Sequence, residues 1–144
     1  MSPPAGRRAL LFVESNTSGT GRLFVLAARE LGLHPVLVTA RPEKYAFLSG
    51  EGAPEVVAVP AIDEDALHRL VADRFGGGAG VAGITSSSEY FVATAAALAA
   101  RFGLPGPHAA AARAARDKSV PRRVLAAAGV LVPAFRVAAS APEA

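Results

Sequence analysis

The chain has 144 residues, about one ordinary domain, of which 51% are hydrophobic and 19% charged. That composition excludes disorder of the whole chain, and the absence of cysteine excludes disulfides, zinc–thiolate sites, iron–sulfur clusters and a cysteine nucleophile. The apolar stretches are broken well before the roughly 18 residues of a membrane span, and the first one, 9–13, ends at Glu14 as a strand does. We therefore expect a cytoplasmic protein with no membrane contact.

The first hundred residues alternate apolar runs with amphipathic stretches, which is the pattern of a parallel sheet covered by helices. The predicted strands are 9–13, 34–39, 55–59 and 81–85. The predicted helices are 22–31, 63–75 and about 89–102, the last one capped by three serines. Between them, 41–45 predicts a loop or a short helix, and the glycine-rich stretch 76–80 predicts a flexible break.

From His108 onward the pattern changes to two alanine-rich helices, 109–116 and 120–128, followed by 130–137 as an edge strand or an extended lead-in to another domain. We expect an α/β fold over 1–107, with a Rossmann-like parallel sheet of about four strands and helices on both faces. We expect 108–144 to be the incomplete beginning of a second domain. The small, polar residues 138–144 complete no domain, which favours a truncated chain.

The charge is concentrated near the C-terminus, where residues 101–144 carry seven basic and two acidic side chains. Such a segment suits a phosphate-bearing partner, but it is equally typical of a solvated helix face. Lys118 precedes the second of these helices and could reach a nucleotide phosphate. Alternatively, Asp117 simply caps that helix and the arginines after it face water.

Two polar loops follow the first and fourth strands, and ligands of open parallel sheets bind at such carboxyl ends. The first loop offers hydroxyls, glycines and the positive end of a helix, which suit a phosphate or a carboxylate unless the loop is a plain turn. Its candidate binding residues are Ser15, Asn16, Thr17, Ser18, Gly19, Thr20 and Gly21. The second loop either caps the next helix or forms another wall of the same cleft. Its candidates are Ser86, Ser87, Ser88 and Glu89.

Several common motifs are absent from the sequence. The pair Gly19 and Gly21 lacks the third glycine of a dinucleotide fingerprint, and Arg41 follows the second strand where an acidic ribose ligand is expected. There is no P-loop and no nucleophile elbow. The three histidines share no spacing, so the sequence supports neither a metal site nor a catalytic triad.

Four segments, in this order, resemble the N-terminal portion of ATP-grasp carboxylate–amine ligases, in which a small Rossmann-like domain precedes the ATP-binding halves. The resemblance covers nearly the whole chain. The segments are the loop 14–21, the stretch 83–89, Phe-Gly-Leu-Pro-Gly at 102–106, and the passage from Arg116-Asp117-Lys118-Ser119 through Val-Leu-Ala-Ala-Ala-Gly-Val at 124–130 to Val132-Pro133. The last is the most specific, because such a passage opens the first ATP-grasp subdomain of the family.

The resemblance implies a ligase in which ATP phosphorylates a carboxylate and an amine displaces phosphate from the acyl-phosphate. In the family, positions matching 15–21 and 85–89 often face the carboxylate or amine substrate, and the position matching Lys118 often contacts ATP. Mg²⁺ and most ATP contacts come from later segments, which this sequence does not contain. We therefore expect 108–144 to begin an ATP-grasp subdomain, and the chain alone to bind ATP and Mg²⁺ weakly, to hold no catalytic or metal-binding residue and to be inactive.

Two other functions stay open. One is a stand-alone Rossmann-like module that binds a nucleotide or a sugar phosphate. The other is a nucleic-acid or protein interaction domain based on the basic C-terminal helices, although the lack of aromatic residues between the arginines argues against single-stranded nucleic acid. The partners that the resemblance implies are the small-molecule substrate, the rest of an ATP-grasp module and, because relatives often dimerise through this domain, a second copy of the chain.

Overall fold

A computed structural model describes residues 6–138 of the chain. Four parallel strands form one sheet in the order β3-β2-β1-β4, with β1 at Ala9–Val13, β2 at His34–Thr39, β3 at Glu55–Ala58 and β4 at Val81–Thr85. The predicted α/β fold with a parallel sheet of about four strands is therefore confirmed. Because β1 lies between β2 and β4, the loop that leaves its carboxyl end lies between the ends of those two strands.

Helices cover both faces of the sheet, as the uniformly apolar strands predict. The helices are α1 at Gly19–Glu30, α2 at Glu64–Phe75, α3 at Val92–Arg101, α4 at Ala109–Ala114 and α5 at Ser119–Ala127. Leu11 and Val13 point to α2 and α3, where they join a core that includes Leu67, Val71 and Leu98. Phe12 and Leu37 point to the opposite face, where the buried residues Val25, Ala28 and Tyr45 complete a smaller core.

Two helices begin at positions that differ from the sequence prediction. α1 starts at Gly19 and not at Arg22, so its two glycines belong to the first helical turn, where the Gly21 N–H donates to the Ser18 carbonyl at 2.9 Å. α3 starts at Val92 and not near Glu89, and the prediction that the three serines cap it is wrong. The serines instead form a separate turn, in which the Ser88 carbonyl accepts the N–H groups of Phe91 and Val92.

The glycine-rich stretch after α2 is not a flexible break. Residues Gly77–Gly80 form a 3₁₀ turn that leads directly into β4. A Cβ on Gly80 would lie 2.0 Å from the Phe75 carbonyl oxygen, and one on Gly78 would lie 2.9 Å from the Phe102 carbonyl oxygen. These glycines are needed because the backbones approach too closely for any side chain, so the turn is packed and not loose.

The chain between β2 and β3 contains no α-helix. It forms two 3₁₀ turns, Pro42–Lys44 and Ala46–Leu48, which confirms the short-helix alternative predicted for 41–45. Tyr45 lies between the two turns and is buried against the sheet. This segment therefore serves as the crossover between parallel strands and covers the sheet beside α1.

Of the two C-terminal helices, α4 packs against α3, whereas α5 has no buried residue. Arg113 in α4 pairs with Glu64 at the start of α2, and Arg116 donates to the backbone carbonyl of Tyr90 at 2.9 Å. Residues 130–138 form neither a helix nor a strand, so the edge-strand alternative for 130–137 is wrong. Residues 139–144, on which the expectation of a truncated chain largely depends, lie outside the described residues. No helix within 6–138 is long and apolar enough to cross a membrane.

An ionic cluster joins the amino ends of β2 and β3 to α2, at the edge of the sheet opposite to the polar loops. His34 Nε2 lies 2.6 Å from the Glu55 carboxylate, and the Arg74 guanidinium pairs with its other oxygen. Burial of Glu55 acts to raise its pKa, but the hydrogen bonds and charges of His34 and Arg74 outweigh burial and hold the pKa below the ordinary 4.5. The charged form of Glu55 therefore stabilises the folded state.

We predict that Glu55→Gln lowers the free energy of unfolding at pH 7 by about 1–3 kcal/mol, because it removes the charged acceptor that the His34 ring and the Arg74 guanidinium share. The contribution of Glu55 is present above its unfolded pKa of 4.5 and is lost as pH falls through its lowered folded pKa. The difference between the wild type and the variant should thus shrink as the pH falls below 4.5. Urea unfolding of both proteins across this range measures it, with the exposed Glu51→Gln as the control. A difference that does not change with pH would contradict the assignment.

Candidate functional site

The loops that follow β1 and β4 are joined by hydrogen bonds at the carboxyl edge of the sheet. Ser15 Oγ and Ser87 Oγ lie 2.5 Å apart, and the Asn16 N–H donates to Ser87 Oγ at 2.9 Å. We call these two contacts the serine clasp. The clasp brings together members of both predicted loops, as expected for adjacent parallel strands whose carboxyl ends meet at one edge.

A cavity of about 450 Å³ opens beside the clasp, within the usual range of small-molecule sites. Its lining contains four of the sequence candidates and one aromatic residue, namely Asn16, Ser87, Ser88, Glu89 and Tyr90. Ser86 lies behind them, where its hydroxyl accepts the Ser88 N–H at 3.1 Å. Ser86 and Ser88 are buried and therefore shape the loop, whereas Ser87, Glu89 and Asn16 face the opening.

The first turn of α1 is held directly against the clasp. A Cβ on Gly21 would lie 2.0 Å from the Asn16 carbonyl oxygen and 2.9 Å from Ser15 Oγ, so only glycine fits. Ser18 occupies the N-cap position, but its side chain makes no capping hydrogen bond. Ser18, Gly19 and Thr20 are exposed at this positive helix end, while Gly21 is a packing residue that fixes where the helix begins.

A buried carboxylate that the sequence candidates did not include organises the other side of the first loop. Glu14 adopts a left-handed backbone conformation with φ 49°, which is uncommon for a residue with a side chain. Its carboxylate accepts hydrogen bonds from Thr39 Oγ1 and the Ala40 N–H, both at 2.8 Å, and a short one from the Tyr45 hydroxyl. The Tyr45 oxygen in turn accepts the Ser15 N–H at 3.0 Å.

The hydrogen bonds around Glu14 change the pKa of Tyr45. Burial, together with the hydrogen bond to the Glu14 carboxylate, raises the pKa of Tyr45 to about 12. A sequence signal for Glu14 existed, because a carboxylate that directly ends an apolar strand must find donors when the strand is buried. No comparable signal marked Tyr45, since its partners are 31 residues away in the chain.

Lys118 lies in a different cavity from the serine clasp. This lysine cavity has a volume of about 440 Å³. It is lined by the turn before α3, by α3 and α4, and by the segment before α5. Its lining residues include Glu89, Tyr90, Val92, Arg116 and Lys118. The Arg116 guanidinium stacks over the Tyr90 ring at 4.8 Å. Since Glu89 and Tyr90 line both cavities, the predicted ATP contact and the predicted substrate loops lie on two sides of one turn.

Asp117 does not cap α5 in the predicted way. Lys118 holds the N-cap position, and the Asp117 side chain instead accepts the Ser119 N–H at 2.9 Å, a bond that lowers the pKa of the Asp117 carboxyl. Arg116 and Lys118 are exposed and supply positive charge to the lysine cavity. Across residues 6–138, no group of three or more histidine, aspartate and glutamate side chains is placed to hold a metal ion.

A parallel α/β sheet with polar loops gathered at its carboxyl edge defines the class of Rossmann-like ligand-binding domains. Residues 25–106 match the ATP-grasp N-terminal domain family, so this chain belongs to that family. The resemblance noted in the sequence is thereby confirmed.

Two longer proteins are similar to this chain, one in sequence and one in fold. The uncharacterized protein y4rH of Sinorhizobium fredii (strain NBRC 101917 / NGR234) is 39% identical over 139 residues, which are 95% of this chain and 28% of that protein. The fold is similar to that of an L-amino acid ligase from Bacillus licheniformis, with a TM-score of 0.65 and 20% identity over 90% of this chain and 32% of the ligase. The chain thus spans less than a third of the length of these two proteins.

We predict that Gly21→Ala destabilises the fold by about 1–3 kcal/mol, because the new methyl group would overlap the Asn16 carbonyl and push the loop away from α1. Gly19→Ala is the matched control two residues earlier in the same turn. A Cβ there meets nothing within 4 Å, so this variant should be neutral or up to about 1 kcal/mol more stable. Thermal and urea unfolding of the two variants compare them directly, and equal stabilities would refute the packing role of Gly21.

Tyr45→Phe should cost about 1–3 kcal/mol at pH 7, because the buried Glu14 carboxylate and the Ser15 N–H each lose a partner. The raised pKa means that the folded state favours the neutral phenol, so the contribution of Tyr45 is complete below pH 10 and is lost as pH rises towards 12. The stability difference between the wild type and Tyr45→Phe should therefore narrow above pH 10. Urea unfolding at several pH values measures this difference.

Tyr90→Phe is the control, because the Tyr90 ring is exposed. This variant should change stability little, and a loss as large as that of Tyr45→Phe would contradict a specific role of the hydrogen bonds between Tyr45, Glu14 and Ser15.

Proposed function

We propose that the chain is the N-terminal, substrate-binding part of an ATP-dependent carboxylate–amine ligase that acts through an acyl-phosphate. The observation that carries the proposal is the serine clasp, which joins the two loops that the family uses for substrates beside an open polar cavity. In this proposal 1–107 form the substrate domain and 108–144 begin the first ATP-grasp subdomain. The alternative, a stand-alone phosphate-binding module, uses the same edge of the sheet.

The chemistry of the clasp cavity suits a carboxylate substrate. Serine hydroxyls and backbone N–H groups donate hydrogen bonds to carboxylate oxygens, and the exposed start of α1 adds a positive dipole end. Glu89 at the same cavity would repel a second carboxylate but attract the ammonium or amine of a nucleophile. We therefore assign carboxylate orientation to Asn16 and Ser87, which Ser15 holds in place from behind, and amine orientation to Glu89.

The lysine cavity suits the phosphate side of the reaction. Lys118 and Arg116 supply two cations at its rim, and Arg116 is positioned by its contact with the Tyr90 ring. ATP, when bound, supplies the phosphoryl group that activates the carboxylate. We propose that Lys118 contacts ATP and that Mg²⁺ is held by parts of the complete protein outside residues 6–138. Because ATP is the cosubstrate, we place the protein in the cytoplasm.

Exposed apolar side chains on α5 and just after it, including Val124, Leu125 and Leu131, give the rest of an ATP-grasp module a surface to cover. A second copy of the chain is the competing occupant of that surface. In either case we expect the 144-residue chain by itself to catalyse no ligation, since it spans less than a third of its relatives' length.

Binding to the clasp is tested on the isotope-labelled chain by following backbone amide shifts as butyrate is added. We expect the largest shifts at Asn16, Ser87 and the first turn of α1. Ser87→Ala should weaken binding roughly three- to tenfold, the value of one hydrogen bond, whereas Ser49→Ala at an exposed position should not. If inorganic phosphate shifts these amides and no carboxylate does, the stand-alone phosphate-binding module is the better description.

The ligase proposal is tested by phosphate release from ATP with pools of carboxylates and amines, and in separate assays hydroxylamine replaces the amines to trap an acyl-phosphate as a hydroxamate. The 144-residue chain should give only background release. A longer protein that contains this chain and an ATP-grasp module should release phosphate only when both a carboxylate and an amine are present, and it should lose this activity with Lys118→Ala. Release above background by the short chain would overturn the proposed division of labour.

A further inference from the structure

A third cavity lies on the β2 side of the first loop and is separate from the two cavities that flank Glu89. It has a volume of about 430 Å³ and lies between the Ser15–Thr17 segment and the first 3₁₀ turn after β2. Residues that close it on the far side are Ile62 and Phe91. We call it the β2-side cavity. None of the functions assigned above uses it, although its size is that of a small-molecule site.

Two cations flank this cavity side by side. Arg41 occupies the N-cap position of the 3₁₀ turn Pro42–Lys44, and Lys44 is the last residue of that turn. Both side chains are exposed and line the cavity. Among residues 6–138, neither side chain takes part in an ion pair. Two cations at the same cavity favour an anion.

The inner part of the cavity has the opposite character. Glu14 contributes a buried carboxylate whose oxygens already accept three hydrogen bonds, so it offers an anion no donor and repels it. Ile62 and Phe91 add apolar surface beside it. An anion is therefore restricted to the rim at Arg41 and Lys44, while the apolar part of a ligand packs further in.

The β2-side cavity and the clasp cavity meet at the segment Ser15–Thr17. Asn16 lines the clasp cavity, and its neighbours Ser15 and Thr17 line the other. Asn16 and Thr17 are exposed. A ligand with a short carbon chain that lies over this exposed segment would contact both cavities.

We propose that the substrate acid carries a second anionic group, a carboxylate or a phosphate, which Arg41 and Lys44 hold at the β2-side cavity. This inference rests on the proposed function, which places the reacting carboxylate at the serine clasp. Arg41 and Lys44 are then the residues that select a dianionic acid over a simple monocarboxylate of similar length.

The test compares three acids of similar length on the isotope-labelled chain at fixed ionic strength: butyrate, glutarate and 3-phosphonopropionate. We expect the better of the two dianions to bind about tenfold more tightly than butyrate, as charge-assisted contacts at a cavity rim allow. It should shift the amides of Arg41 and Lys44 as well as that of Ser87. Preference for glutarate identifies a dicarboxylic acid, and preference for the phosphonate identifies a phosphorylated acid.

The double variant Arg41→Gln/Lys44→Gln should abolish the preference for the dianion and leave butyrate binding unchanged. Arg7→Gln/Arg69→Gln removes the same number of charges from exposed positions that do not line the cavity and should keep the preference. Equal affinity of the wild type for all three acids would overturn the inference, and so would a preference that survives in the first double variant. Failure of the proposed function gives a different result. In that case neither butyrate nor a dianion shifts the Ser87 amide, and both the substrate-binding role of the serine clasp and the second anionic group are refuted.

Discussion

The buried carboxylate of Glu14 fixes the carboxyl edge of the sheet. It sits at the end of the central strand in a left-handed conformation, and its three donors come from the end of β2 and from the buried phenol of Tyr45. Leaving such a charge without donors would cost several kilocalories per mole, so the crossover after β2 must fold back over the sheet to provide them. The path of the first loop, and hence the position of Ser15, follows from that requirement.

The three cavities share residues across two narrow stretches of chain. Glu89 and Tyr90 separate the clasp cavity from the lysine cavity, and the Ser15–Thr17 segment separates the clasp cavity from the β2-side cavity. The serine clasp is the contact that holds these stretches together, although they are 71 or 72 residues apart in sequence. A row of cavities around one anchored loop is a suitable arrangement for a reaction in which two organic groups and a nucleotide must meet.

The sequence predicted the sheet and the meeting of the two polar loops at its carboxyl edge well, because both depend on local patterns. Apolar runs such as Ala9–Val13 identify buried strands, and polar residues directly after them identify the carboxyl edge. What it missed depends on contacts that are distant along the chain. The sequence of Gly77–Gly80 predicts flexibility, because it does not show that the Phe102 carbonyl lies against these glycines. The serines before α3 predict a helix cap, because the sequence does not show that Ser87 contacts Ser15 and Asn16. Tyr45 has no local sign of its role.

The close approach of Gly21 to the Asn16 carbonyl has a consequence for the thermodynamics of recognition. Because the first turn of α1 and the preceding loop interlock through backbone atoms, the segment loses its conformational entropy when the protein folds and not when a ligand arrives. For the proposed acid substrate, a preorganised loop of this kind lowers the entropy lost on binding, so that more of each hydrogen bond contributes to affinity, and it limits the shapes of acid that fit. Gly21, which allows α1 to begin at this point, thereby also fixes the conformation of the loop before it.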